Sequence, residues 1–180
     1  SIRPSWNRRF SDSIGNLFAF STGIWADGYH VANVDRDNAS DFTGVTGRIY
    51  PYASLEWRLP LISQLGKASQ TLEPIVNFVA SPNGGNSSKI PNEDSQEFEF
   101  DDTNLFSENR FPGLDQWETG TRLNAGMRYS LFWGEQGRAS ALIGQSYRLD
   151  ENTSFSSASG LRNELSDVVG RIMLSPSSNW

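Results

Sequence analysis

One histidine, four carboxylates within EFEFDD and an adjacent pair of glycines are the places where this sequence could do chemistry. His30 stands in DGYHV, close to Asp27. A nucleophilic triad also needs a hydroxyl or thiol aligned on that base, and no spacing marks one. A lone histidine near a strand end reads as structural. Glu97, Glu99, Asp101 and Asp102 offer the hard oxygens that calcium takes, but they lack the spacing and the glycine turn of an EF-hand. Asp94, Glu97 and Glu99 could supply half of a glycosidase pair, whose two carboxylates stand roughly 5 to 9 Å apart. Nothing fixes the other half. Gly84 and Gly85, in SPNGGNSS, precede no helix and so make no phosphate cradle. The expectation is a protein that is not an enzyme, with no catalytic residues, no metal and no cofactor.

Charge narrows the partners. A net charge of -6 and a pI near 4.8 oppose a nucleic-acid groove, which needs clustered Lys and Arg. Of the 15 basic residues only Lys67 and Lys89 are lysines, and a bias to Arg suits fixed ion pairs in confined places. Hydrophobic content is 37% with mean hydropathy -0.49, and no apolar run of about 18 residues exists to span a bilayer as a helix. Cysteine is absent, so disulfides and thiolate metal sites are absent too. SIRPSWNRRF lacks the apolar region of a signal peptide, so either a leader has been removed or the chain starts within a longer protein.

The elements that must carry these residues show a period of two. In GVTGRIYPYASLEWRL, Val45, Ile49, Ala53, Leu55, Trp57 and Leu59 alternate with Thr46, Arg48, Tyr50, Tyr52, Ser54, Glu56 and Arg58. WETGTRLNAGMRYSLFWG sets Trp117, Leu123, Ala125, Met127, Tyr129, Leu131 and Trp133 against Glu118, Arg122, Asn124, Arg128 and Ser130. RASALIGQSYRL, TLEPIVNFVAS and DVVGRIML continue the pattern, and a noisier, aromatic-rich element covers about Ile14 to Val31. A helical period would mix Arg and Leu on every face. About six long antiparallel strands are expected in an all-β fold, two of them joined tightly through GEQG at 134–137.

Two arrangements satisfy such strands. A soluble β-sandwich would bury the apolar face. An outer-membrane barrel would turn it to lipid and line a lumen with the polar face, here Arg48, Glu56, Arg58, Glu73, Glu118, Arg122, Arg128, Arg148 and Arg171. Trp57, Trp117, Trp133 and Tyr147 near strand ends would then form interfacial girdles. The short connections, at 135–137 and in SPSSNW, are expected on the periplasmic side. The long ones, at 32–42, about 82–117 and 150–163, fall opposite, and PLISQLGK at 60–67 is longer than a periplasmic turn should be. Segment 82–117 holds Phe98, Phe100, Phe106, Phe111 and Trp117, which a solvated connector has no reason to keep. It is expected to be extracellular or to fold back and cap the lumen, covering Phe106, Phe111 and Leu114. Asp115 is expected to accept backbone hydrogen bonds from the FPGLD turn or to pair with Arg110.

Leu72, Glu73 and Pro74, then Asp94 and Ser95, Asp101 or Asp102 ahead of Leu105 and Phe106, and Asn109, Arg110, Phe111, Gly113 and Asp115, with Pro112 as a further loop candidate between them, follow one another at a specific spacing. That series resembles the barrel domain of the LptD family, the organic solvent tolerance proteins of lipopolysaccharide assembly. Gln116 departs from it, since many relatives carry a basic residue there. The resemblance implies a barrel of about twenty-six strands, of which residues 1–180 would be an internal portion. It also implies the Gram-negative outer membrane and a translocon that inserts lipopolysaccharide into the outer leaflet among outer-membrane lipid. An LptE-like lipoprotein would plug the lumen, and a periplasmic lipopolysaccharide bridge would dock on a domain absent from this chain. A general porin-like channel is the alternative, and a secreted β-sandwich binding domain a more distant one.

Overall fold

The structure is a computed structural model that describes all residues except 37–38, 96–98, 135, 151–154, 156–158, 162 and 177–180, and the side chains of 36 and 39. Glu97, Phe98 and the turn expected in SPSSNW therefore lie outside the described residues. Among the described residues eight strands form one antiparallel sheet: β1 (Ser5–Ser11), β2 (Leu17–Arg36), β3 (Ala39–Arg58), β4 (Leu61–Leu65), β5 (Ala68–Ala80), β6 (Arg122–Trp133), β7 (Gly137–Arg148) and β8 (Val169–Ser175). Their spatial order is β1-β2-β3-β5-β6-β7-β8, with β4 paired to β5.

Two strands exceed the expected six, and each has a local reason for being missed. β1 carries Arg8 between Trp6 and Phe10 on its apolar row, so its alternation is broken by a charge. β4 lies inside PLISQLGK, the connection that looked too long. β3 and β4 hold the same flank of β5 in succession, through Arg58↔Ile75 and then Leu61↔Leu72. The turn between β4 and β5 is only Gly66 and Lys67, with Gly66 at φ 61°. Pro74 falls opposite the break between β3 and β4, where a missing N–H costs no ladder bond on that side. Pro51 likewise lies just beyond Ala53↔Ala80, the last described pair of β3 with β5.

Paired residues of an antiparallel ladder point to the same side, so the register defines two faces. Leu55, Phe78, Leu123 and Tyr147 follow one another across β3, β5, β6 and β7 on the apolar face. Asn77, Asn124 and Ser146 do so on the polar face. The apolar face is bare: Ile172 is 85% exposed, Val45 78% and Ile49 74%. A β-sandwich would have covered it with a second sheet. The buried side chains instead lie between the polar face and the connections 81–121 and 149–168, in two clusters. One holds Phe100, Leu105, Phe111, Phe155 and Leu161, the other Tyr50, Tyr52 and Trp117.

Candidate functional site

The long β5–β6 connection is anchored to the polar face by arginines. Glu118 Oε1 stands 3.1 Å from Arg110 Nη1, 2.7 Å from Arg148 Nη1 and 3.5 Å from Arg122 Nε, with all four side chains at most 4% exposed. Arg110 comes from the connection, Arg122 from the first residue of β6 and Arg148 from the last of β7, so one carboxylate ties three segments together. Other guanidinium donors turn to oxygens, while Arg122 Nη1 is buried without a hydrogen-bond partner among the described residues. Arg110 donates to Leu105 O and Ser146 Oγ, each at 3.0 Å, and to Asn124 Oδ1. Arg122 donates to Ser107 O and Glu108 O, and Arg148 to Thr119 O. Burial lowers the Arg110 pKa to about 9 against the opposing pull of Glu118, which still leaves it cationic at neutral pH.

A second anchor lies on β3. Arg48 is held by Asp27 at 3.0 Å and donates to Asp115 O at 2.6 Å and to Leu114 O. Tyr50 donates its hydroxyl to Pro82 O at 2.7 Å, and the Asn86 side chain bonds both the N–H and the carbonyl of Trp117. Farther along the face, Ser54 donates to Glu108, and Arg171 on β8 pairs with Asp102 at 3.0 Å.

Between the anchors the connection folds on itself. Gly113, at φ 72°, supplies the left-handed residue that the FPGL turn needs, and a Cβ there would run into Asp94. Asp94 accepts the N–H groups of Leu114 and Asp115, at 2.7 and 2.9 Å, while Asp115 accepts those of Glu93 and Asp94. Burial works against the Asp94 carboxylate, yet these bonds and the Ser95 hydroxyl hold its pKa below the usual range. Asn109 Oδ1 accepts from Phe111 and Glu118. Phe111 stacks on Phe155 with ring centroids 5.0 Å apart, so the 149–168 connection shares the same apolar cluster. Leu105 and Phe106 sit over Gly144 and Gly126, which face each other across β6 and β7, and a Cβ at either glycine would meet them.

These positions correct several expectations. Trp117 is not at an interface: it is 1% exposed, on the polar side, packed against Tyr50, Tyr52 and Trp25. Asp115 serves the turn at Glu93–Asp94 rather than its own, and Arg110 pairs with Glu118. Leu114 stays 46% exposed, and Pro112 is exposed as well. His30 and Asp27 fall on opposite faces of β2, because their separation is odd. Asp101 accepts from Thr103 and Asn104, as a turn-closing aspartate does. Among the described residues no three His, Cys, Asp or Glu gather as metal ligands. Of the other residues read as lumen-facing, Glu56 pairs with Arg58 at 2.7 Å and Glu73 with Arg128 at 3.0 Å, both partly exposed on the polar face. Trp57, Trp133 and Tyr147 lie on the apolar face, Trp57 donating to Asn16 in the β1–β2 turn.

The buried carboxylate with its three arginines escaped the sequence reading, although each member was named. Glu118 and Arg122 stand four residues apart in the sequence, but Arg110 and Arg148 reach Glu118 only through the fold. Beside the anchored connection a cavity of about 550 Å³ opens toward β1–β3, bounded by Arg9, Glu56, Asn77, Glu108, Trp25 and Trp117. The carboxylate and guanidinium groups of the arrangement bind one another and the connections. What the arrangement does is hold two connections against a charged wall. No curated protein matches the chain. A family model described as LptD, LPS transport system D, matches residues 1–180.

Proposed function

The chain belongs to the LptD family, non-enzymatic proteins that transport lipopolysaccharide into the Gram-negative outer membrane, and we propose that its polar face is the lumen wall beneath a folded cap. In this reading residues 1–180 form part of the barrel domain, and segment 82–117 caps the lumen together with the 149–168 connection. The observation that carries it is the direction of the anchors. Arg48, Arg122, Arg148 and Arg171 all reach the connections from the polar face, while the opposite face is apolar and exposed.

The half-exposed pairs Glu56–Arg58 and Glu73–Arg128 leave ionic groups on the wall beyond the cap. Such a wall suits a phosphorylated, sugar-bearing headgroup, while acyl chains leave sideways into lipid. An LptE-like lipoprotein would occupy the lumen beside the cap. The periplasmic bridge would deliver lipopolysaccharide through a domain outside this chain.

Deleting Leu105–Asp115 from the full-length protein tests the cap. The barrel is expected to insert at normal levels, while cells become sensitive to large antibiotics and display less surface lipopolysaccharide. Unchanged permeability and display would refute a capping role.

Sidedness is tested separately with cysteines. Asn86 is engaged by Trp117, so the exposed Ser88 is the better probe of the long-connection side, and Gln136 of the short-turn side. Ser88→Cys is expected to react with an impermeant thiol reagent on intact cells, and Gln136→Cys only after the outer membrane is opened. The reverse pattern would invert the topology.

A further inference from the structure

Among the described residues, the apolar face carries one permanent charge in its regular ladder. Reading the pairing from β1 to β8, its rows consist of apolar, aromatic and neutral polar residues, Gln70 and Gln145 among them, apart from His30 near one end and Arg8. Among the described residues of these rows Arg8 is the single Arg, Lys, Asp or Glu. It is exposed, and no hydrogen bond or ion pair reaches it from the described residues. The other arginines of the regular ladder fall on the polar face.

Around Arg8 the surface is shaped. Arg8 pairs with Phe20, which pairs with Leu55, and Trp6 and Phe10 flank it two residues either way on the same side. Trp6 meets Phe20 edge to face at 5.8 Å, and Phe10 stacks on Phe18 at 5.0 Å. Trp6, Arg8, Phe10, Phe20 and Leu55 thus line an apolar groove of about 540 Å³. β1 ends at Ser11, three residues beyond Arg8, and the β1–β2 turn closed by Asp12 follows. At about 3.3 Å per residue this places Arg8 roughly 10 Å along a tilted strand from the turn, within reach of the headgroup level.

An arginine on a lipid-facing surface is costly at mid-membrane, and the cost falls toward the interface, where phosphate is available. Guanidinium recognises phosphate oxygens bidentately. The geometry points to a binding site for a glycerophospholipid of the short-turn leaflet, with its phosphate on Arg8 and an acyl chain along Trp6, Phe10, Phe20 and Leu55. The site rests on the outward face meeting lipid and on the short turns being periplasmic. It does not depend on the cap.

The test uses the full-length protein, extracted in mild detergent, as wild type, Arg8→Gln and Arg8→Lys. Folding is checked by heat-modifiable migration, and co-purifying lipids are quantified by mass spectrometry. Wild type is expected to retain at least about threefold more phospholipid than Arg8→Gln, with Arg8→Lys between them. Added phosphatidylglycerol is expected to raise the unfolding temperature of wild type more than a diacylglycerol with the same chains. That comparison needs no variant, so it decides even if Arg8→Gln fails to fold. Equal retention in folded wild type and Arg8→Gln overturns the site, as does equal stabilisation by the two lipids. If the lipid lost with Arg8 is lipopolysaccharide, the phospholipid assignment is overturned. Loss of phospholipid with normal surface display of lipopolysaccharide supports the site independently of the transport reading.

Discussion

Glu118→Ala is expected to release the cap while leaving the barrel in the membrane. The carboxylate is fully buried and neutralises part of the charge of Arg110, Arg122 and Arg148. Removing one partner from a buried ionic cluster costs about 3 to 5 kcal/mol, because the remaining charges are left without water or a counter-ion. Arg110 bears the loss most directly, since its other bonds go to neutral oxygens of the connection, β6 and β7. The strand ladders between β5, β6 and β7 do not involve Glu118, so assembly should survive. In folded, membrane-inserted protein, trypsin should then cut after Arg110, a site that is 4% exposed in the intact structure. Sensitivity to large antibiotics should rise with it. Glu73→Ala is the comparison. Its pair with Arg128, whose side chain is 38% exposed, contributes about 1 kcal/mol or less and does not touch the cap. Wild-type protease resistance in Glu118→Ala would show that the ionic anchor does not hold the connection.

Met127→Arg is expected to block assembly where Ser130→Arg does not. Both lie within β6, but the register puts Met127 with Pro74 and Ile143 on the apolar face and Ser130 with Thr71 and Ser140 on the polar face. An arginine at mid-membrane on the lipid side costs roughly 2 to 4 kcal/mol, against little on a polar lumen wall. Leu123 and Asn124 look like the natural pair from alternation alone. The structure makes Asn124 unsuitable, because its side chain bonds Arg110, Asn77 and Ser146 beneath the cap. A change there would test the cap and the wall together. The measurement is the folded fraction in isolated outer membranes, and equal fractions for Met127→Arg and Ser130→Arg would refute the assignment of faces.

Alternation along β3, β6 and β7 was enough to separate the two faces, because successive side chains of a strand point oppositely whatever the strand pairs with. The crowding of aromatics in 98–117 was likewise readable as a sign that the connection packs on something, since apolar surface in water is unfavourable wherever it lies. The family resemblance, carried by residues from Leu72 to Asp115, rested on the same local text.

Alternation stops being informative where the deciding interaction is remote or the pattern is interrupted. Trp117 shares the odd parity of Leu123, but Gly120 at φ 90° turns the chain before β6 begins at Arg122, so the count does not carry across it. β1 stayed hidden because Arg8 occupies a position where alternation leads one to look for an apolar residue. That Glu118 would collect Arg148 from 30 residues away, and that Phe155 would stack on Phe111, depends on which strands pair and where the connections fall back. Periodicity is a property of one segment and can be read from its order of residues. The partner of a buried charge is chosen by the whole sheet, and only the tertiary structure decides it.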